Sequence, residues 1–350
     1  MKRNKVESLL SFWPKVCICI PTYNSASTIQ EMINSILTQT YPNFVVHVSD
    51  NASTDNTVEL IEAFKDLRVI VHRHAQNVGG EGNFNRCIEY SEGKYMAIFH
   101  ADDVYEPQMI MEQVACLEDN LKIGAVFTAA HTIDTNGVVT GLIGIFDRSD
   151  YSCKVVDFSS FMKAILKRGN FVICPSGMVR TEIYKNEIAC WKDDIFRSSS
   201  DLDVWFRIAS NHSLAFLSEP LMRYRLDSNQ FSNKVRLRTQ QADFFLVTEF
   251  YLAQDRVWQL MSNSDFRNYR MLVINDLAWR AINYYSSEKL FESNELLHEI
   301  IKPDVFLLSM FSRRDFLMFI VCIGLQLTIA FGMQRFGAKV LVFFRRKLNK

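Results

Sequence analysis

The sequence predicts an α/β protein, with a mostly parallel sheet crossed by short helices and a helical C-terminal region behind it. Three observations carry this. Over roughly the first 130 residues short apolar runs alternate with amphipathic segments, the pattern of βαβ units. After His131 strand and helix fragments mix until about Ser218. From Ser232 to Ile301 the pattern is helical and holds no proline or glycine. The expected organisation is an α/β domain at 13–230, a helical region at 231–303 and an apolar, basic, membrane-associating segment at 304–350.

The strand-like runs are Val16 to Ile20, Phe44 to Val48, Arg68 to His72, Tyr95 to Phe99 and Ala125 to Ala129. Between the first two, Ile29, Ile33, Ile36 and Leu37 share one helical face, with Ser25 or Ser27 as the expected N-cap. Asp55 to Phe64 and Gly82 to Tyr90 read as two further helices returning the chain to the sheet. Thr135-Asn136-Gly137, between apolar runs, reads as a hairpin turn. No internal repeat is visible.

Composition narrows the class. The 350 residues are 48% hydrophobic and 22% charged, which suits a globular protein and excludes a disordered or collagen-like one. A formal net charge of zero gives no field for nucleic acid, so none is expected as a partner. The eight cysteines include no C-x-x-C, and Cys17 and Cys19 alternate along Val16-Cys-Ile-Cys-Ile20 as core residues do. Reduced, buried thiols and a cytosolic compartment are expected. Lys2, Arg3 and Lys5 precede no long apolar stretch before Pro14, so no cleaved signal peptide is expected.

In a parallel α/β sheet ligands bind where the strands' carboxyl ends release their loops. Those loops are Pro21-Thr22-Tyr23-Asn24, Ser49-Asp50-Asn51-Ala52-Ser53-Thr54-Asp55, Asn77-Val78-Gly79 and Ala101-Asp102-Asp103. Each alone is readable as a turn or a helix cap. Together they collect a tyrosine and several carboxylates at one sheet edge. That suits a nucleotide whose diphosphate is held through a metal, since acidic side chains need a cation beside phosphate.

The runs Val16-Cys-Ile-Cys-Ile-Pro-Thr-Tyr-Asn24, Val48-Ser-Asp-Asn-Ala-Ser-Thr-Asp-Asn-Thr57, Asn77-Val-Gly79 through Asn85, and Gly93-Lys-Tyr-Met-Ala-Ile-Phe-His-Ala-Asp-Asp103 resemble family 2 glycosyltransferases in order and spacing. The resemblance covers about residues 14–232. It implies the GT-A fold (Rossmann-like, the fold of nucleotide-diphospho-sugar transferases), a UDP- or dTDP-sugar donor and inversion at the anomeric carbon. Carried over by position, Asp50 resembles the carboxylate that reads the base. Tyr23 resembles the ring beside that base, and Pro21-Thr22 the backbone around it. Asp103 resembles the metal-ligating aspartate, for Mn2+ or Mg2+, with Asp102 near the ribose. Ala101 departs from the family's usual first aspartate.

Ser200-Asp-Leu-Asp-Val-Trp-Phe-Arg207 resembles the family's E-D-x-D-L-W-x-R segment, which makes Asp201 the catalytic base and Asp203 the second choice, with Ser200 in place of glutamate. Placed at a helix N-terminus, Asp201 is expected to stay ionised. Cys174-Pro-Ser-Gly-Met178 forms a tight turn, read equally as acceptor-pocket wall or plain turn. Leu221-Met-Arg-Tyr-Arg-Leu-Asp227 resembles the segment near the diphosphate, with Arg225 as a phosphate ligand and Asp227 where histidine is common.

From Phe316 to Gln334 no charged residue occurs, with Arg313-Arg314 before and Arg335, Lys339, Arg345, Arg346, Lys347 and Lys350 after. Three readings stay open: an in-plane or re-entrant helix on anionic lipid, favoured by bases at both ends; a marginal membrane crossing; or a buried core or oligomer helix. Peripheral attachment to the cytoplasmic leaflet suits a lipid-linked or saccharide acceptor in bacterial surface-polysaccharide synthesis. Pro21-Thr22-Tyr23-Asn24 lacks the glycine-rich basic loop of a sugar-1-phosphate nucleotidyltransferase. No G-x-G-x-x-G follows the first strand, which excludes a nicotinamide dehydrogenase. The alternative from another class is a catalytically silent GT-A-fold partner at the membrane, suggested by Ala101, Ser200 and Asp227.

Overall fold

The computed structural model describes residues 12–144, 153–226, 237–339 and 341. Asp227 therefore lies outside the described residues, as does most of the segment beyond Lys339. Two compact units are present: Met1–Phe161 with Asn170–Asp227, and Met162–Gly169 with Ser228–Lys350.

The first unit opens as β1 (Val16–Thr22), α1 (Ile29–Leu37), β2 (Phe44–Asp50), α2 (Thr57–Glu62), β3 (Val69–Arg73), α3 (Gly79–Glu89) and β4 (Tyr95–Ile98). The four strands lie parallel in the order β3-β2-β1-β4, each reached through a helix because a parallel pair needs a crossover. β1 is covered on both faces, which is why it reads as an unbroken apolar run. Val16, Ile18 and Ile20 join the main core with Ile29, Met32, Ile33 and Ile36 of α1. Cys17 and Cys19 are buried too, and the Cys19 thiol donates to the Cys87 carbonyl of α3 at 3.3 Å. All eight cysteines are free thiols, though Cys153 and Cys190 are exposed rather than buried.

The chain continues through β5 (Val104–Tyr105), α4 (Met109–Asp119), β6 (Ile123–Ile133), β7 (Val139–Ile143), β8 (Cys153–Val156), α5 (Phe158–Arg168), β9 (Met178–Arg180), α6 (Ser200–Asn211) and β10 (Ser213–Arg225). The sheet extends as β4-β9-β6-β10-β5, with β9 and β5 antiparallel to their neighbours, β7 added on β6 and β8 on β10. The expected turn at 135–137 joins β6 to β7, closed by Gly137 in the left-handed region at φ +80. β9 is three residues long and carried no readable periodicity. Its Arg180 guanidinium donates to the carbonyls of Leu117 and Ile123 at 2.6 and 2.8 Å, pinning α4 and β6.

Two boundaries differ from expectation. α1 starts after Thr28, not after Ser25 or Ser27, because the Ser25 carbonyl closes a turn onto the Thr28 and Ile29 amides. α3 starts at Gly79 rather than Gly82. At Gly93, with φ +72, an added Cβ would lie 2.4 Å from the Lys15 carbonyl oxygen, so β1 and β4 close over a position that only glycine fits.

The second unit contains α7 (Phe244–Leu252), α8 (Asn263–Ser286), α9 (Leu290–Ile300), α10 (Pro303–Ser309) and α11 (Arg313–Ala330). A reciprocal cap between Ser262 and Asp265 starts α8. Ala278, Ala281 and Ile282 of α8, Leu297 of α9 and Cys322 of α11 share one apolar core. The 316–334 stretch is not one helix: α11 ends at Ala330, and Gly332 turns the chain at φ +66. Among the described residues no helix is long and apolar enough to cross a membrane, so the marginal crossing is corrected.

Candidate active site

β1, β2 and β4 run parallel, so their carboxyl ends release three loops on one edge, with Thr22 level with Asp50. Side chains fasten these loops together. The Asn24 and Ser25 amides donate to Ser53 Oγ and Thr57 Oγ1 at 3.0 and 2.8 Å, and the Thr54 amide donates to Asn24 Oδ1 at 2.8 Å. Asn51 reaches the loop after β3, its Nδ2 donating to Asn77 Oδ1 and its Oδ1 accepting from the Val78 amide. Tyr23 is left half exposed on the rim and Pro21 partly covered.

Asp50 is 3% exposed; one carboxylate oxygen accepts from the Ser53 amide at 3.2 Å. The other is buried with no partner among the described residues. Asp103, after β4, repeats the pattern at 1% exposure. Its Oδ1 accepts from the Arg225 amide at 2.9 Å, and its Oδ2 is buried and unpartnered. Burial, with the Asp102 charge beside it, pushes the Asp103 carboxyl well above the usual carboxylate range. Oxygens of Asp102 and Asp103 and a ring nitrogen of His100 lie within 4.8 Å of one another, a set able to hold a metal ion. His100 Nε2 is a further buried atom without a partner, and burial lowers its pKa towards the neutral ring.

The loop carrying these ligands is held from three sides. Thr28 Oγ1 donates to the Ala101 carbonyl at 2.9 Å, and the His100 amide donates to Tyr105 Oη at 2.8 Å. Arg225 Nε donates to the Asp102 carbonyl at 2.8 Å. The Ala101 methyl packs in the main core, so alanine at this departure from the family pattern serves packing.

At the start of α6 the Asp201 carboxylate accepts from the Leu202 amide at 2.8 Å and from the Asn170 side chain. Burial outweighs both and pushes its pKa up to about 6, above the ordinary carboxylate value yet still below neutral pH. Asp203, the second choice, is 1% exposed and bound to Arg207 Nε at 2.8 Å, while Arg207 also donates to the carbonyls of Ile188 and Cys190. The ion pair lies within α6 and holds the Arg207 fork that ties the helix to the chain at 188–190, so Asp203 is engaged with a cation where, among the described residues, Asp201 is not. Burial, with the charges of Asp201 and Asp103, pushes the Cys174 thiol up.

These motifs sit in a fold found elsewhere. The model of glycosyl transferase family 2 matches residues 17–185. An uncharacterized glycosyltransferase of Methanocaldococcus jannaschii is 29% identical over 243 residues, 68% of this chain and 80% of that protein. Another, from Rickettsia prowazekii, is 30% identical over 223 residues, 63% of this chain and 66% of that protein. The chain belongs to glycosyl transferase family 2.

For this glycosyltransferase the solved structures agree on the fold, which is GT-A. S. aureus TarS 1–349 in complex with UDP-GlcNAc superposes with a TM-score of 0.52 at 16% identity, covering 91% of this chain and 92% of that one. The mannosyltransferase PcManGT from Pyrobaculum calidifontis, in complex with GDP-Man and Mn2+, gives 0.52 at 17%, covering 91% and 87%.

Arg225 is where the glycosyltransferase departs most from the sequence reading. It was expected to bind phosphate, but its guanidinium is 5% exposed and engaged with protein. Besides Asp102 it donates to the Asp134 and Thr135 carbonyls at 3.1 and 3.4 Å and pairs with Glu31 of α1 at 2.6 Å. Arg225 thus positions the Asp102-Asp103 loop. Sequence reasoning missed His100, Asn51 and Trp191. His100 offered a signal, a ligand-type side chain two residues before Asp102. Trp191 offered none: its buried Nε1 is unpartnered, and its ring lies 4.6 Å from Phe84, which in turn meets His100 at 5.5 Å.

Proposed function

We propose that the enzyme is an inverting, metal-dependent glycosyltransferase. It moves a sugar from a nucleotide-diphosphate donor, a UDP- or dTDP-sugar, to the hydroxyl of a saccharide or lipid-linked acceptor. The observation that carries this is the buried Asp103 Oδ2, left without a partner beside Asp102 and His100 at the carboxyl edge of the sheet. A buried carboxylate oxygen costs several kcal/mol unless something compensates it, and a cation does so. The residues therefore fit a divalent ion, Mn2+ or Mg2+, with Asp103 and Asp102 as its oxygen ligands and His100 beside them. Bound there, such an ion neutralises charge on a leaving diphosphate. That PcManGT is seen with GDP-Man and Mn2+ supports the assignment.

The chain's own residues supply the rest. Asp50, through its unpartnered oxygen, accepts from the base, and Tyr23 flanks it from the rim. Pro21 and Asp102 shape the nucleotide's sugar side. Asp201 takes the proton from the acceptor hydroxyl while that oxygen bonds to the anomeric carbon and the bond to the diphosphate oxygen breaks. A pKa near 6 leaves Asp201 mostly ionised at neutral pH yet basic enough to accept a proton. One displacement inverts the anomeric centre, and no covalent sugar–enzyme intermediate forms. The enzyme works attached peripherally to the cytoplasmic leaflet of the plasma membrane, in bacterial surface-polysaccharide synthesis.

The test is a screen of nucleotide sugars for diphosphate release with and without Mn2+. Metal-dependent release by the wild-type chain, abolished in Asp103→Ala, supports the assignment; release that ignores the metal or survives Asp103→Ala overturns it.

A further inference from the structure

Helix α11 is apolar on two opposite sides. Met318, Phe319, Val321, Cys322 and Leu325 are buried in the core of the second unit. At 100° per residue, Leu317, Ile320, Gly324, Leu327 and Phe331 fall within about 40° of one line on the other side. The four large residues of that line are 44–74% exposed. Next to it, α10 leaves Leu307 more than half exposed, and the chain between the helices does the same with Met310 and Phe311. Apolar surface this contiguous on a soluble face marks an interaction site.

Charge says what it meets. Arg313 begins the apolar line and Arg314 follows it in sequence, about 100° round the helix, while Arg335 and Lys339 follow its far end; all four are exposed. Among the described residues no ion pair involves any of them. The two nearby carboxylates are already engaged, Asp304 with Arg270 and Asp315 with Asn275. A face apolar along its length and cationic at both ends matches acyl chains bordered by anionic headgroups. An apolar cavity of about 210 Å3, lined by Ile320, Gly324, Leu325 and Phe336 among others, gives an acyl chain a place to enter.

We propose that the exposed face of α10 and α11 is a membrane-docking surface that lies in the plane of an anionic bilayer. The inference rests on the peripheral attachment proposed for this enzyme and names its surface and its lipid. The full chain is to be floated with phosphatidylcholine vesicles, with and without phosphatidylglycerol, at low and high salt. Three chains are compared: wild type, Ile320→Asp/Leu327→Asp and Arg313→Glu/Arg314→Glu. Near an anionic surface each cation is worth roughly fivefold in partitioning, so either double variant lowers binding at least about tenfold.

Salt-sensitive wild-type binding that needs phosphatidylglycerol and is lost in both variants establishes the surface. No vesicle binding overturns it, as does binding that ignores the substitutions. A self-association that Ile320→Asp/Leu327→Asp breaks, without vesicle binding, also overturns it, since the face then joins two copies. The charge-reversal variant leaves the packed core untouched and keeps the test valid if the other fails to fold. Metal-dependent diphosphate release is read in the same samples, so a failed docking surface and a failed enzyme reading give different results.

Discussion

Replacing Asp201 by asparagine removes a charge that folding buries at a cost. The carboxyl is shifted from 3.8 to about 6, and one unit is worth about 1.4 kcal/mol, so the ionised form carries up to roughly 3 kcal/mol of strain at neutral pH. The sign follows from linkage. With its folded pKa raised above the unfolded value, Asp201 contributes stability that is complete below about pH 4 and lost as pH rises towards about 6. Asparagine keeps an acceptor for the Leu202 amide and escapes the loss. Asp201→Asn is therefore expected to be more stable than wild type at pH 7, by about 1–3 kcal/mol, with the gain vanishing near pH 4. In the same variant transfer falls by about 10²–10⁴ while donor binding is kept. Thermal melts across pH 4–8, paired with donor binding and single-turnover transfer, read all three quantities. Wild-type transfer falls about tenfold per unit below pH 6. A variant less stable than wild type at pH 7 refutes the buried-charge argument, and near-normal transfer refutes the base assignment.

Arg225→Met strips the guanidinium from three carbonyls and Glu31; it is expected to cost about 3 kcal/mol in urea unfolding and to weaken metal-dependent nucleotide binding. Asp203→Asn breaks the Arg207 pair and costs about 1–3 kcal/mol, but transfer by the folded fraction keeps the wild-type pH profile. Gly93→Ala forces a Cβ against the Lys15 carbonyl at positive φ and is expected to cost about 2–4 kcal/mol in the same unfolding assay, leaving nucleotide affinity unchanged.

What the sequence made legible was whatever repeats or alternates. β1, β2 and β4 are buried strands of a parallel sheet, β3 is its partly exposed edge, and the loops after all four follow from chain order. The carboxylates Asp50 and Asp103 were found that way. β9 escaped because three residues carry no period, and its burial is set by Arg180 reaching the carbonyls of Leu117 and Ile123. Arg225 was visible as a cation near the site, but its role depends on Glu31, a residue 194 positions away in sequence. Asp201 was placed correctly at a helix start, yet its pKa is set by burial, which a helix N-terminus does not reveal. The break at Gly332 inside the apolar 316–334 stretch was in plain view, since a glycine there adopts the φ that ends a helix.

The central claim is that Asp103 is the metal ligand on which donor binding depends. The most direct measurement is calorimetric titration of a nucleoside diphosphate into wild type and Asp103→Asn, each with and without Mn2+. Tight binding by wild type only when Mn2+ is present, with no Mn2+ effect in Asp103→Asn, is the predicted result. Equal affinity without the metal, or an undiminished Mn2+ effect in the variant, would contradict it.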